Sequence, residues 1–196
     1  MTALPDVTIA PLSAATWPAL AALFEAGGDP RWCFCQFWRK PGLNWTNTTQ
    51  AENRADLEAQ LADPLPPGLV AMRGDEAVGW VAVAPRDGYP RLTRSRTIPQ
   101  LPGGDVWSIT CLVVRRTARR AGLASSMVAA ATAFALEHGA AIVEGYPVAT
   151  QGSRLSAASV YTGTLSMFAR VGFTEAAPTT SHPAPGRSRV VVRRSR

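Results

Sequence analysis

The sequence predicts an α/β protein, a single domain in which helices flank a mixed central sheet of about six to seven strands. Three observations lead there. The chain has 196 residues, 46% of them hydrophobic, enough to bury one core. Two apolar runs, 69–72 and 77–83, flank the turn residues Arg73-Gly74-Asp75-Glu76, the pattern of an antiparallel hairpin. Further on, an apolar run at 106–114 leads through an arginine-rich turn into an alanine-rich segment at 121–138, and another apolar run follows at 141–146. Strand, helix and strand in that order make a right-handed parallel crossover, so the sheet carries both strand directions.

The remaining elements follow from local signals. Residues 7–9 read as a short strand ended by Pro11. Trp17, Leu20, Leu23 and Phe24 recur at helical spacing between a Ser13 cap and the terminating pair Gly27-Gly28. The aromatic cluster Arg31-Trp32-Cys33-Phe34-Cys35-Gln36-Phe37-Trp38-Arg39 has no clear period. A helix is expected over 50–61, capped by Asn47, Thr48 or Thr49 and stopped by Pro64-Leu65-Pro66-Pro67. Residues 85–104, rich in proline, arginine and glycine, read as a long surface loop, and 149–160 as a polar loop. A helix over 161–170 and strands near 173–176 and 189–192 complete a domain whose core runs from about 5 to 193. The ending Arg193-Arg194-Ser195-Arg196 reads as a frayed basic tail.

Composition narrows the function classes. No apolar run approaches the roughly 20 residues that span a bilayer, so no membrane partner is expected. Met1 to Pro11 lack the basic and apolar regions of a secretory leader, and three cysteines do not make a disulfide framework; the expected setting is the reducing cytoplasm. The net charge of +6 suits a nucleic acid or a polyphosphorylated ligand. Its arginines gather at one turn and at the C-terminus, not interleaved with aromatics along a groove, so nucleic acid is not expected. Cys33-x-Cys35 invites a zinc reading, but only Cys111, His138 and His182 remain to complete four ligands, and no metal is expected. His138 precedes Gly139 at a helix end, His182 sits among prolines, and packing is the simplest role for Cys111.

The most informative stretch is Val113-Val114-Arg115-Arg116-Thr117-Ala118-Arg119-Arg120-Ala121-Gly122-Leu123-Ala124. A helix start offers unpaired N–H groups and the positive end of its dipole, Gly122 allows close backbone approach, and the arginines add fixed positive charge. A phosphate cradle and a solvated basic turn are both compatible with it.

In element order and in this Arg-x-x-Gly-x-Ala spacing the chain resembles the GNAT N-acetyltransferases. Phe168-Ala169-Arg170-Val171-Gly172-Phe173 is similar to the last helix of that fold and its Gly-Phe exit. Trp32-Cys33-Phe34-Cys35-Gln36-Phe37-Trp38, Gly79-Trp80, Ala84-Pro85-Arg86 and Glu144-Gly145-Tyr146-Pro147 look like a bacterial branch of the superfamily, a likeness that implies no particular substrate. The resemblance implies an acetyl-CoA co-substrate with its pyrophosphate on the amides of Arg119, Arg120, Ala121, Gly122, Leu123, Ala124 and Ser125. Arg115 and Arg116 would meet the adenosine-side phosphate. The pantetheine arm would lie along Leu112, Val113 and Val114, in the gap facing 142–146, and Tyr161 would touch the cofactor.

The implied reaction is direct attack by the primary amine of a small molecule in a ternary complex. The alternatives are acetylation of a protein or peptide, with Arg91, Arg94 and Arg96 holding an acidic partner, and an acyl-CoA-binding module without turnover. Many relatives carry a tyrosine where this chain has Phe168, which leaves Tyr161, Ser166 and Tyr146 as substitute acids, or none. Glu144, near the carboxyl end of a central strand, is the first choice for the base; it can equally pair with an arginine and hold the sheet. Trp107 and Ser108 on the preceding strand, with Trp32, Phe34, Phe37 and Trp38, are expected to line the acceptor pocket, whose aromatic faces suit an apolar amine or an organic cation. The resemblance also leaves room for a homodimer.

Overall fold

Seven strands among the described residues form one sheet, ordered β1-β2-β3-β4-β5-β7-β6. The computed structural model describes residues 6–28, 30–150, 152, 153 and 155–196, so the residues before 6 and parts of the loop at 149–160 lie outside this account. The strands are β1 (Thr8–Pro11), β2 (Gly68–Arg73), β3 (Glu76–Pro85), β4 (Val106–Val114), β5 (Ile142–Gly145), β6 (Thr174–Pro178) and β7 (Val190–Ser195). Only β4 and β5 pair in parallel, as the crossover pattern predicts. Gly74, at φ 56°, supplies the left-handed turn between β2 and β3.

The register of β4 positions everything that follows. Val83 pairs with Ile109 and Ala82 with Cys111, so Thr110 is an extra residue. The bulge breaks the alternation of faces. Trp107 and Ile109 pack on one face, and Cys111 and Val113 on the other. Parallel pairing with β5 ends at Ile109 and Gly145, and the strands part beyond it, as expected where a bulge bends and twists a strand.

Helix α6 (Leu123–Glu137) covers one face with Leu123, Met127, Val128, Ala131, Phe134 and Ala135, joined by Phe168 of the short α7 (Leu165–Ala169). On the other face, α1 (Trp17–Glu25), the single turn α2 (Pro30–Cys33) and α4 (Gln50–Ala59) surround Trp17, Leu20, Phe24, Phe34, Leu57 and Trp80, while the short α3 (Gly42–Thr46) sets Trp45 against Phe37. Of the three candidate caps for α4, Thr49 takes the role in a full capping box with Glu52.

Four expectations need correction. Ser13 does not cap α1, which begins at Trp17; its carbonyl instead accepts the Trp17 N–H in the turn leading in. Residues 85–104 stay at the surface, as expected, but are not a plain loop. They include α5 (Pro90–Thr93) and bury Tyr89, Leu92 and Ile98 with Trp38, Tyr146 and Val191 in a third apolar cluster. Those side chains are isolated among polar residues and carry no period to read. The helix expected over 161–170 starts at Leu165, because Gly163 at φ 89° breaks the turn before it. Finally, β7 runs through Ser195, so Arg193 and Arg194 belong to the sheet. Among the described residues, no helix is long and apolar enough to cross a membrane.

Candidate active site

Where β4 and β5 part, a groove of about 840 Å³ opens. Leu112 and Val114 form its floor, the turn and first residues of α6 one end, and Tyr161, Gly163, Met167 and Arg170 the other wall. Arg120, at φ 66°, and Gly122, at φ 84°, fold the turn sharply, and a Cβ built on Gly122 meets nothing within 4 Å. No side chain caps α6, and its first intrahelical bond runs from the Ser126 N–H to the Gly122 carbonyl. The amides of Leu123, Ala124 and Ser125 are therefore left facing the groove end, an arrangement that fits a diphosphate. Of the expected cofactor residues, all line this groove except Val113, Arg115 and Arg116, and the Val113 side chain packs into the opposite cluster. Arg115 also turns away, donating to the Ala77 carbonyl and pairing with Glu76.

The gap itself is narrower than expected. The Leu112 N–H donates to the Tyr161 carbonyl at 2.7 Å, so the backbone around Tyr161, not β5, faces this part of β4. Arg115 donates to Val78 on β3, so by strand alternation the Val114 N–H points into the groove.

Beside the groove's Tyr161 end lies a buried polar chain. The Tyr146 hydroxyl donates to Glu144 Oε2 at 2.7 Å and shares a 2.9 Å hydrogen bond with the Ser108 hydroxyl. Glu144 Oε1 accepts from Arg193 Nε and Nη2 at 2.8 and 2.6 Å and from Arg86 Nη1 at 3.4 Å. Burial, with the Glu144 charge second, holds the Tyr146 phenol well above its usual range. Three sequence candidates thus meet in one chain, and the arginine pairing foreseen for Glu144 is present as well. Nothing in the sequence marked Arg193, because a run of terminal arginines looks like a tail.

The aromatic candidates divide. Phe34 lies in the core edge-on to Phe24, and Trp107 packs against Phe134 under α6, so neither lines an acceptor pocket. Trp32 is 49% exposed on α2. Phe37 and Trp38 remain, their rings 4.9 Å apart, and Phe37 also meets Trp45 and Tyr161 edge-on at 5.2 and 6.4 Å. The Arg91 guanidinium lies 4.1 Å over Phe37, and that of Arg189 5.3 Å over Tyr161. Phe37 and Tyr161 thus join the aromatic patch to the groove wall.

The other two substitute acids differ in placement. Ser166 is exposed and bonded to the Thr164 hydroxyl, outside the groove lining. Tyr161 is in place, but burial raises its phenol far above the ordinary range, so it keeps its proton at neutral pH. Phe168 is fully buried, its ring wedged between Gly145 and Gly163, where a Cβ would come within 2.2 and 2.8 Å of it. Cys35 and Cys111 meet with sulfurs 2.9 Å apart in the core, and Trp80 Nε1 donates to Cys35 at 3.2 Å. No group of histidine, cysteine or acidic side chains able to hold a metal ion occurs among the described residues.

Comparison with known proteins agrees with this geometry. Residues 33–162 match the model of the Acetyltransferase (GNAT) family. A GCN5-related N-acetyltransferase from Kribbella flavida superposes with a TM-score of 0.59 at 16% identity, over 97% of this chain and 98% of the other. A ribosomal-protein-alanine N-acetyltransferase from Brucella melitensis gives 0.55 at 19% identity, over 96% and 99%. The yncA protein of Salmonella typhimurium, determined with acetyl-CoA, gives 0.56 at 14% identity, over 97% and 94%. Identities this low speak for the fold alone. No curated protein matches the sequence.

Proposed function

The chain belongs to the GNAT acetyltransferase family, and on that premise we propose that it transfers an acetyl group from acetyl-CoA to the primary amine of a small molecule. The observation that carries this reading is the junction at Tyr161: a groove with helix-start amides at one end is walled at the other by Tyr161, whose ring meets Phe37 and, through it, Trp38, the aromatic patch against which we place an acceptor compartment. The segment 85–104 packs over that patch through Tyr89, Leu92 and Ile98, with the Arg91 amide bonded to the Trp38 carbonyl, which favours a compact acceptor over an extended peptide.

Acetyl-CoA, when bound, supplies the thioester that a neutral amine attacks. Leu123, Ala124 and Ser125 hold its diphosphate through their amides, and Arg119 and Arg120 add positive charge at the turn. The acceptor ammonium must first lose a proton. It passes through an ordered water to Ser108 Oγ, then to Tyr146 Oη, and ends on Glu144 Oε2, each hydroxyl releasing one proton as it receives another. Glu144 acts as base at this distance because Arg193 and Arg86 hold its other oxygen in place. A CoA thiolate leaves without an acid, so Phe168 is no obstacle, and the neutral Tyr161 phenol serves as a contact of the groove wall.

Thermal denaturation tests donor binding. At a hundredfold excess over its dissociation constant acetyl-CoA stabilises the native state by about 2.7 kcal/mol, a rise of about 5–10 °C in melting temperature for a chain of this size. No rise removes the donor assignment. Thiol release across a panel of small primary amines tests the rest: a rise in melting temperature without any release turns the protein into a binding module.

A further inference from the structure

Two guanidiniums at the acceptor end have no carboxylate to meet. Arg91 stacks 4.1 Å over Phe37 and 5.9 Å from the Trp45 ring, and its Nη1 is shielded from solvent with no hydrogen-bond partner. Arg189, only 7% exposed, lies over Tyr161 and spends its described bonds on the hydroxyls of Thr162 and Ser181. Among the described residues neither makes an ion pair, whereas nearby Arg86 and Arg193 both converge on Glu144 and Lys40 meets Asp56. The two unmatched charges bracket the edge-on pair Phe37 and Tyr161, where the aromatic patch proposed to take the acceptor meets the wall of the groove.

Shielded charge without a partner is costly, and a guanidinium offers a fork of donors shaped for a carboxylate. The Phe37 face, one of those expected to hold an organic cation, is already occupied by the protein's own cation. A second positive group would be repelled there, while an anion would complete the hydrogen bonding of Arg91.

We infer that the acceptor is a small amine that also carries a carboxylate, an amino acid or a derivative with its acid group free, and that Arg91 is the residue that reads this charge. The inference rests on the acetyl-transfer reading and sharpens its substrate class. Arg189, on the Tyr161 side, sets the positive potential of the compartment and steers the same group.

The test pairs each amino acid with its own carboxamide as acceptor in a thiol-release assay. The acids should be used with kcat/KM about tenfold or more above the amides, mostly through KM. Arg91→Met should erase that ratio, and Arg91→Lys, which keeps the charge, should retain part of it. Both variants should keep the wild-type melting-temperature rise with acetyl-CoA, which shows that the donor groove is intact. Binding is read independently of turnover by titrating tryptophan fluorescence with N-acetyl amino acids and their carboxamides, where the acids should again bind tighter and Arg91→Met should abolish the difference. Equal use of acids and amides, or a ratio unchanged in Arg91→Met, overturns the inference while leaving acetyl transfer standing. Absence of donor binding overturns the acetyl-transfer reading, and absence of any preferential acid binding in the titration overturns the charge-reading role.

Discussion

Tyr146 separates two roles that Glu144 would otherwise confound. Replacing Glu144 removes both a proton acceptor and the anchor of two arginines, so lost activity would not distinguish base from brace. Tyr146→Phe breaks the link between Ser108 and Glu144 and leaves every arginine contact in place. If the relay operates, kcat should fall about 10²-fold or more with little change in KM for acetyl-CoA; a kcat equal to wild type in a steady-state assay removes it. The cysteines allow a second check at this scale. Burial, with the contact to Cys111 second, raises the Cys35 thiol well above its usual range, and only the thiolate is reactive. Cys35 should therefore resist iodoacetamide in the native protein, as should Cys111 because it is buried out of the reagent's reach, and both should react once the protein is unfolded, as read by mass spectrometry. Ser108, Glu144 and Tyr146 were open to sequence reading because polar residues stand out in apolar strands. Phe34 and Trp107 misled because an aromatic ring serves a core and a pocket equally well, and sequence does not say which way it points.

Elements were legible in proportion to their periodicity. Helix α6 and the crossover around it emerged from fifteen residues of consistent pattern. The bulge at Thr110, which parts β4 from β5, did not, because threonine is an ordinary strand residue and the extra position appears only in the pairing with β3. Helix α4 shows what a good local signal is worth. The Thr49 side chain accepts from the Glu52 amide at 3.2 Å, and the Glu52 carboxylate accepts from the Thr49 amide at 2.7 Å. Thr49→Ala should cost about 1 kcal/mol in denaturant unfolding. Glu52 gives the cap a pH dependence. Its pKa is lowered, first by the Thr49 backbone bond, so the stabilisation it brings is present above the ordinary carboxylate range and is lost as pH falls through its depressed value. In Thr49→Ala the part of this acid sensitivity carried by the Thr49 hydroxyl should disappear, a difference visible when the two proteins are unfolded side by side at neutral and acid pH.

For the molecule as a whole, the decisive contact joins three stretches far apart in sequence. Arg193 on β7 grips Glu144 on β5 and donates to the carbonyls of Leu101 and Pro102, at the end of the segment that packs against Trp38. Sequence reading placed the sheet, and gathered 119–125 at one turn, because both rest on contiguous patterns; it missed this clasp because no local pattern links position 193 to positions 101 and 144. The clasp predicts a particular non-additivity. Glu144 is 2% exposed, so Arg193→Leu leaves a buried carboxylate with only the more distant Arg86 and the Tyr146 hydroxyl, a loss of about 3–5 kcal/mol. For a chain of this size that lowers the melting temperature by roughly 6–20 °C. Adding Glu144→Gln neutralises the stranded charge, so the double variant should melt above Arg193→Leu despite carrying one substitution more. A frayed tail would behave otherwise: Arg193→Leu would then melt within about a degree of wild type, as surface substitutions do. Calorimetry on the wild type, the two single variants and the double variant decides between a clasp and a tail. It also reports on the acceptor side, because loosening the segment at Leu101 and Pro102 should weaken acceptor binding while the melting-temperature rise with acetyl-CoA persists.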